Sequence, residues 1–170
     1  EGDRYFARTD PGATMLGPTQ WDWLDAQLEQ PADLRLLVSS IQVLPRPERS
    51  ESWGMMPHER GRLLQLLRSA GRTVILSGDR HFGEILRMPA DHEDGVGYPL
   101  YELTASGLNV AGEHWEADNA FRFGRGPYPG DHFGGVRIDW AAGELFLEIV
   151  SAQGDVVRQQ RVSLSALSGD

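Results

Sequence analysis

The run Val74-Ile75-Leu76-Ser77-Gly78-Asp79-Arg80-His81-Phe82-Gly83-Glu84 sets an acid and an imidazole two residues apart, directly after a short apolar segment. Residues 73–76 are apolar and β-branched with punctuation at both ends, the pattern of a buried strand. Polar groups just past the carboxyl end of such a strand stand where open α/β sheets place their ligand sites. In a loop or extended backbone, residues i and i+2 can point the same way, so Asp79 and His81 have the spacing to share one metal ion. The same residues also suit a plain strand-to-loop turn, with Gly78-Asp79 as turn chemistry and His81 hydrogen-bonded to Asp79. Glu84 has two readings as well. It is either a carboxylate behind the ligands that fixes the ring of His81, or a solvated acid at the head of Ile85-Leu86.

A catalytic metal commonly takes at least three protein ligands plus water. The other imidazoles are His58, His92, His114 and His132, and none has metal-ligand spacing with another. His58 falls in the first turn of a helix and reads as a surface residue. His92, in Asp91-His92-Glu93-Asp94, reads as solvated in an acidic loop. His114 and His132 flank a long irregular segment and are candidates for lining a site. Trp53, in a proline-bearing loop, either covers a pocket or anchors packing. Arg122 and Arg125 have the chemistry to meet a phosphate, but read first as a solvated loop. Ser77 and Ser106 lack a Gly-x-Ser-x-Gly elbow. Gly124-Arg125-Gly126 lacks the rest of a dinucleotide fingerprint.

Composition narrows the chemistry further. With 170 residues the chain has the length of one domain with a real core. A net charge of −9 argues against a nucleic-acid-binding surface and against an anionic membrane. All 16 basic residues are Arg, which removes Schiff-base and P-loop lysine chemistry, and no Cys is available for thiolates or Cys-type metal sites. No apolar run reaches the length of a membrane span. A soluble protein is expected, with the compartment left open. The opening Glu1-Gly2-Asp3-Arg4-Tyr5-Phe6 lacks an initiator Met and a signal pattern, and reads as the middle of a longer protein.

The elements that must position these residues follow from hydrophobic spacing. Trp21, Leu24 and Leu28 share one helical face, with Thr19 as N-cap and Pro31 beyond the end. Residues 34–43 form a strand candidate. Leu63, Leu64, Leu66 and Leu67 supply the face of a second helix that opens at Pro57 and stops at Ala70-Gly71. The alternation of helix and strand is that of an α/β fold. Residues 98–104 alternate like a strand, and residues 109–132 form a long loop of the kind that is functional or disordered. Residues 135–140, 144–150 and 156–164 alternate between turns as an antiparallel meander. The expected division is an α/β part over residues 1–108, a loop over 109–134 and the meander over 135–165.

Several of these segments together resemble the alkaline phosphatase D (PhoD-like) family of calcineurin-type metallophosphoesterases. They are Met15-Leu16-Gly17-Pro18-Thr19-Gln20-Trp21-Asp22-Trp23-Leu24, Val38-Ser39-Ser40-Ile41-Gln42-Val43, Trp53 with Pro57-His58-Glu59-Arg60, the Gly78-Asp79-Arg80-His81 run, residues 98–108, and Asp131-His132-Phe133-Gly134 with Ile138-Asp139-Trp140. The resemblance implies the carboxyl-terminal part of a four-layer α/β/β/α sandwich and a metal-dependent phosphoester hydrolase of alkaline phosphatase or phosphodiesterase type. It implies metal ligation by Asp79 and His81 as the catalytic residues, support from Glu84, and a metal-bound hydroxide attacking phosphorus. Ions of Fe, Ca, Zn or Mn, dinuclear in the whole protein, and a small phosphoester substrate go with it. Gln42, Trp53, Ser106 and His132 are the candidates for lining the pocket. Apart from the Gly78-Asp79-Arg80-His81 run, the motifs of the family's amino-terminal half, a separate Asp-x-His, a Gly-Asp-x-x-Asp and a Gly-Asn-His type segment, do not occur in the chain. The chain by itself is therefore expected to hold part of the site and to be inactive. The competing reading is a non-catalytic α/β binding or assembly module without metal.

Overall fold

The computed structural model of the protein describes residues 6–46, 51–112 and 119–169. Helix α1 (Pro18–Leu28) buries Trp21, Leu24 and Leu28, the face that their spacing defines. Its start differs from the expectation. Gly17, at φ 74°, caps the helix, and Pro18 occupies the first turn, where its missing N–H breaks no bond. Helix α2 (Pro57–Ala70) also begins on proline and buries Leu63, Leu64 and Leu67.

Strands β1 (Arg35–Val38), β2 (Thr73–Ser77), β3 (Gly83–Met88) and β4 (Leu100–Ala105) form one sheet in the order β1-β2-β4-β3. β1, β2 and β4 run parallel, and β3 is antiparallel to β4. The parallel step from β1 to β2 is possible because α2 spans the crossover. Strands β5 (His132–Asp139), β6 (Glu144–Ser151) and β7 (Val156–Ser163) form the antiparallel meander expected from their alternation.

Register assigns the faces of the first sheet. Leu37 borders one groove with Leu24 of α1 and Leu63 of α2, so its face looks to the helices. On the opposite face Gly134 of β5 approaches so closely that a Cβ there would lie 3.1 Å from Ala105 Cβ. The meander therefore covers that side. One continuous apolar core runs through both interfaces, from Trp21 and Leu67 to Leu145 and Ile149. The meander does not reach β1, where Val38 stays 75% exposed. The outer edge of β3 is instead closed by the segment that follows β4, through bridges from Gly83 to Tyr128 and from Leu86 to Arg122.

The strand expected over residues 98–104 lies at Leu100–Ala105, and three other elements also depart from the expectation. The strand expected over residues 34–43 ends at Val38, because the amides of Val43 and Leu44 bond to the Glu102 carboxylate at 2.9 and 2.7 Å instead of to a neighbouring strand. Residues 83–88 form a strand where none was expected; its buried positions run almost without a break and show no alternation. The meander begins at His132, three residues early.

Glu59 locks the two helices together. One carboxylate oxygen accepts from Thr14 Oγ1, the Met15 amide and the Trp21 indole at 2.9, 2.8 and 2.9 Å. Burial alone raises this carboxyl's pKa, but these donors outweigh it and hold the group below its ordinary range. A depressed carboxylate adds stability that is complete above the unfolded pKa and is lost as pH falls through the folded value. Glu59→Ala is expected to cost about 2 kcal/mol, since it orphans the buried Trp21 indole and the part-buried donors before α1, and to remove part of the acid-side loss of stability. Urea denaturation of both proteins across pH 3 to 7 checks this, and an unchanged pH profile would contradict it.

Candidate functional site

The chain turns from β2 into β3 through Gly78 to Phe82. Two non-glycine residues in this turn adopt left-handed backbone, Asp79 at φ 70° and His81 at φ 55°. Each such position costs roughly 1 kcal/mol or more, and such outliers gather at functional sites. Both side chains are exposed, and neither has a hydrogen-bond partner among the described residues. The backbone around them is held firmly. Ser106 Oγ accepts from the His81 amide at 3.1 Å, and the His81 carbonyl accepts from Gly112 N at 2.6 Å. Phe82 anchors the turn at 2% exposure.

Behind this turn lies a buried polar layer. Glu84 of β3 faces Thr104 of β4 in register. Its carboxylate accepts from Gln42 Nε2 at 2.7 Å, Asn119 Nδ2 at 3.2 Å and Arg122 Nε at 2.8 Å. Gln42 also donates to Thr104 Oγ1, which bonds Ser77 Oγ. Glu84 thus turns to Gln42, Asn119 and Arg122, and no bond joins it to the His81 ring among the described residues. Glu102, fully buried two residues from Thr104, has its pKa pushed up to about 7 by burial, against the pull of Ser77 and the Leu44 and Val43 amides, with the Glu84 charge adding to the rise. A cavity of about 280 Å³ opens beside the layer, with Arg80, Phe82, Glu84, Phe121 and Arg122 in its wall.

The family model of the PhoD-like phosphatases matches residues 2–125, which takes in the whole turn and its polar layer. The chain belongs to the PhoD-like phosphatase family. Solved structures agree on the fold. PhoD matches with a TM-score of 0.68 at 15% identity, over 93% of this chain and 34% of that one. GAP50, the anchor in the inner membrane complex of Plasmodium, gives 0.66 at 15%, over 92% and 45%. The purple acid phosphatase PPD1 from yellow lupin (Lupinus luteus) seeds gives 0.66 at 13%, over 86% and 28%. The parallel sheet and the meander are thus part of a metallophosphoesterase fold, and the chain spans less than half the length of each of these proteins. No curated protein matches the chain significantly.

The remaining candidates separate around this PhoD-like turn. Gln42 lines the cavity. Ser106 braces the turn through its hydroxyl. His132 is wholly buried: Nδ1 bonds the Gly130 carbonyl at 2.7 Å, and Gly107 packs so close that a Cβ there would lie 2.4 Å from ring Cε1. Trp53 lies elsewhere, against Trp21 and Ser39, bordering the groove beside β1. His58 is exposed beside the Thr9 carbonyl. His114 lies outside the described residues. Arg125 borders a separate hollow near Arg158.

Two residues expected in solvated loops make contacts within the fold. Arg122 is 13% exposed and paired with Glu84. His92 borders the cavity, its ring 5.0 Å from that of Phe121. Spacing alone reveals neither contact, because each joins segments some thirty or more residues apart. Arg80, Asn119 and Phe121 also escaped the sequence reading; the one available signal was the place of Arg80 inside the Asp-x-His run.

The donors fit a metal as part of a set. A carboxylate and an imidazole with unspent lone pairs face outward from one short turn, which suits a hard or borderline cation. Among the described residues no group of three His, Cys, Asp or Glu is assembled, so a full centre needs further ligands.

Two outcomes are expected here. Asp79→Gly and His81→Gly should each raise stability by about 1 kcal/mol by relieving left-handed strain; a loss in chemical denaturation would mean that the side chains support the fold. Glu102 should act in the sense opposite to Glu59. Its pKa is raised on folding, so stability falls as pH climbs from the unfolded value towards 7, by a few kcal/mol. Glu102→Gln should flatten that slope, at the expense of one backbone bond, and a slope that persists would contradict the assignment.

Proposed function

We propose that the chain carries part of the metal centre of a phosphoester hydrolase, with Asp79 and His81 as two of its ligands. The observation that carries this reading is the pair itself. Two exposed donors, without partners among the described residues, sit on left-handed backbone within one turn of a PhoD-like chain. Left-handed backbone under two exposed side chains that find no partner among the described residues is more readily understood as serving a ligand than as serving the fold.

The residues of the chain divide the work. Asp79 and His81 bind the cation, an ion such as Fe, Ca, Zn or Mn, with a second ion in the whole protein. Ser106 and Gly112 orient the turn by holding the backbone of His81. Glu84 keeps the neighbouring wall of the cavity in place through Gln42, Asn119 and Arg122. When bound, the metal lowers the pKa of water and neutralises charge on the phosphoryl oxygens. A small phosphoester is the substrate class that the family membership supports.

Titration of the chain with Zn²⁺ or Mn²⁺, read by calorimetry, should show weak binding that Asp79→Asn and His81→Ala each weaken by about tenfold or more. Equal binding by the variants, or none by the parent chain, overturns the ligand assignment and favours a metal-free binding module. The chain alone should turn over a chromogenic phosphoester negligibly; turnover abolished by a chelator would show that its own residues suffice.

A further inference from the structure

The ring of His132, the first residue of β5, packs against two glycines that border the Asp79–His81 turn. Gly83 follows the turn directly, and a Cβ there would lie 3.1 Å from ring Cδ2. Gly107 follows Ser106, whose hydroxyl holds the His81 amide. A Cβ on Gly107 would lie 2.4 Å from ring Cε1, 2.6 Å from Nδ1 and 3.3 Å from the His81 carbonyl oxygen. Cε1 and Cδ2 flank Nε2, so this edge of the imidazole spans the gap between the two glycines. A side chain at position 107 would have to displace either the ring or the loop that braces His81.

The ring is held in place from the other side. Nδ1 bonds the Gly130 carbonyl at 2.7 Å, and a carbonyl only accepts, so Nδ1 carries the hydrogen. The Tyr128 ring meets the imidazole edge-on at 5.9 Å. Backbone bonds reinforce the contact. The His132 amide donates to the Gly107 carbonyl at 3.0 Å, and Gly83 and Tyr128 exchange both backbone bonds, at 2.9 and 2.7 Å. Nε2 is buried and has no hydrogen-bond partner among the described residues. A bare buried nitrogen lowers stability, so a bond at that atom is not what the imidazole contributes. It contributes a small flat ring that fits between two glycines, with one nitrogen to anchor it.

We infer that His132 is a positioning residue for the turn: anchored on Gly130, its ring seats Gly107 and Gly83 and so sets the backbone from which Asp79 and His81 project. This role rests on the reading of Asp79 and His81 as metal ligands, while the packing that performs it needs no metal. Groups that orient ligands from behind typically change metal affinity by about 10- to 100-fold when replaced.

Amide hydrogen exchange of the metal-free chain, followed by NMR, tests the inference. The reporters are the His81 amide, bonded to Ser106, and the Gly112 amide, bonded to the His81 carbonyl. His132→Asn keeps a donor for Gly130 but removes the ring edge. It should speed exchange at both reporters by about tenfold or more, while the amides of α2 change far less. Gly107→Ala should do the same with His132 present, and should add little to His132→Ala, where the ring no longer blocks its Cβ. In calorimetric titration with Zn²⁺, His132→Asn should weaken binding by about tenfold. Equal acceleration at the reporters and in α2, unchanged reporters, an equal effect of Gly107→Ala in both backgrounds, or unchanged affinity in a chain that binds Zn²⁺ would each overturn the inference. A parent chain that binds no Zn²⁺ overturns the ligand reading instead, and exchange then decides the role of His132 by itself.

Discussion

A carboxylate buried in the middle of a sheet costs several kcal/mol unless its oxygens find donors, and β4 carries one at Glu102. The donors it finds are the amides of Val43 and Leu44. This bond pulls the segment after β1 away from strand geometry and folds it across the helix-side face of the sheet. Gln42 is carried with it and lands between Glu84 and Thr104. Glu84 in turn draws Asn119 and Arg122 in from the far loop. Two buried acids thus tie three strands to two distant loops, and the cavity is the space left between them.

The turn from β2 to β3 stands on this platform and has the opposite character. The layer below is bonded throughout, whereas Asp79 and His81 present unspent donor atoms to solvent from strained backbone. Proteins commonly carry such locally unfavourable geometry where function requires it and balance it with stability elsewhere. Here the balance is visible in the bonds from Ser106 and Gly112 to His81 and in the buried ring of Phe82. Glu59 and Glu102 show the same contrast in their titration. Donors from α1 and the residues before it pull the first down, and burial lifts the second.

The fold brings the platform and the turn together, while among the described residues no group of three possible metal ligands is assembled. The helices and the meander cover opposite faces of one sheet, and the chain accounts for between 28% and 45% of the length of the structures it matches. Val38 and Leu36, on the face where β4 meets the meander, remain exposed at β1. The part of the sandwich shared with metallophosphoesterases is thus covered over β3 and β4 and open towards β1.

Local pattern was enough for much of this. Helical spacing of Trp21, Leu24 and Leu28, the apolar run before Ser77 and the alternation after residue 135 each report burial along a single element, so they are readable one window at a time. The Asp-x-His spacing is local too, and it singled out the pair that the structure leaves exposed on left-handed backbone. What the windows could not reveal were contacts between segments far apart in sequence. Residues 34–43 look like one strand until Glu102 takes the amides of Val43 and Leu44. Arg122 and His92 look solvated until the loop folds against β3. Arg80 looks like a spacer between two ligands until packing against Phe82 buries its Nε. In each case the deciding energy is desolvation of a polar group, and desolvation depends on what the rest of the chain brings close, which only the tertiary structure decides.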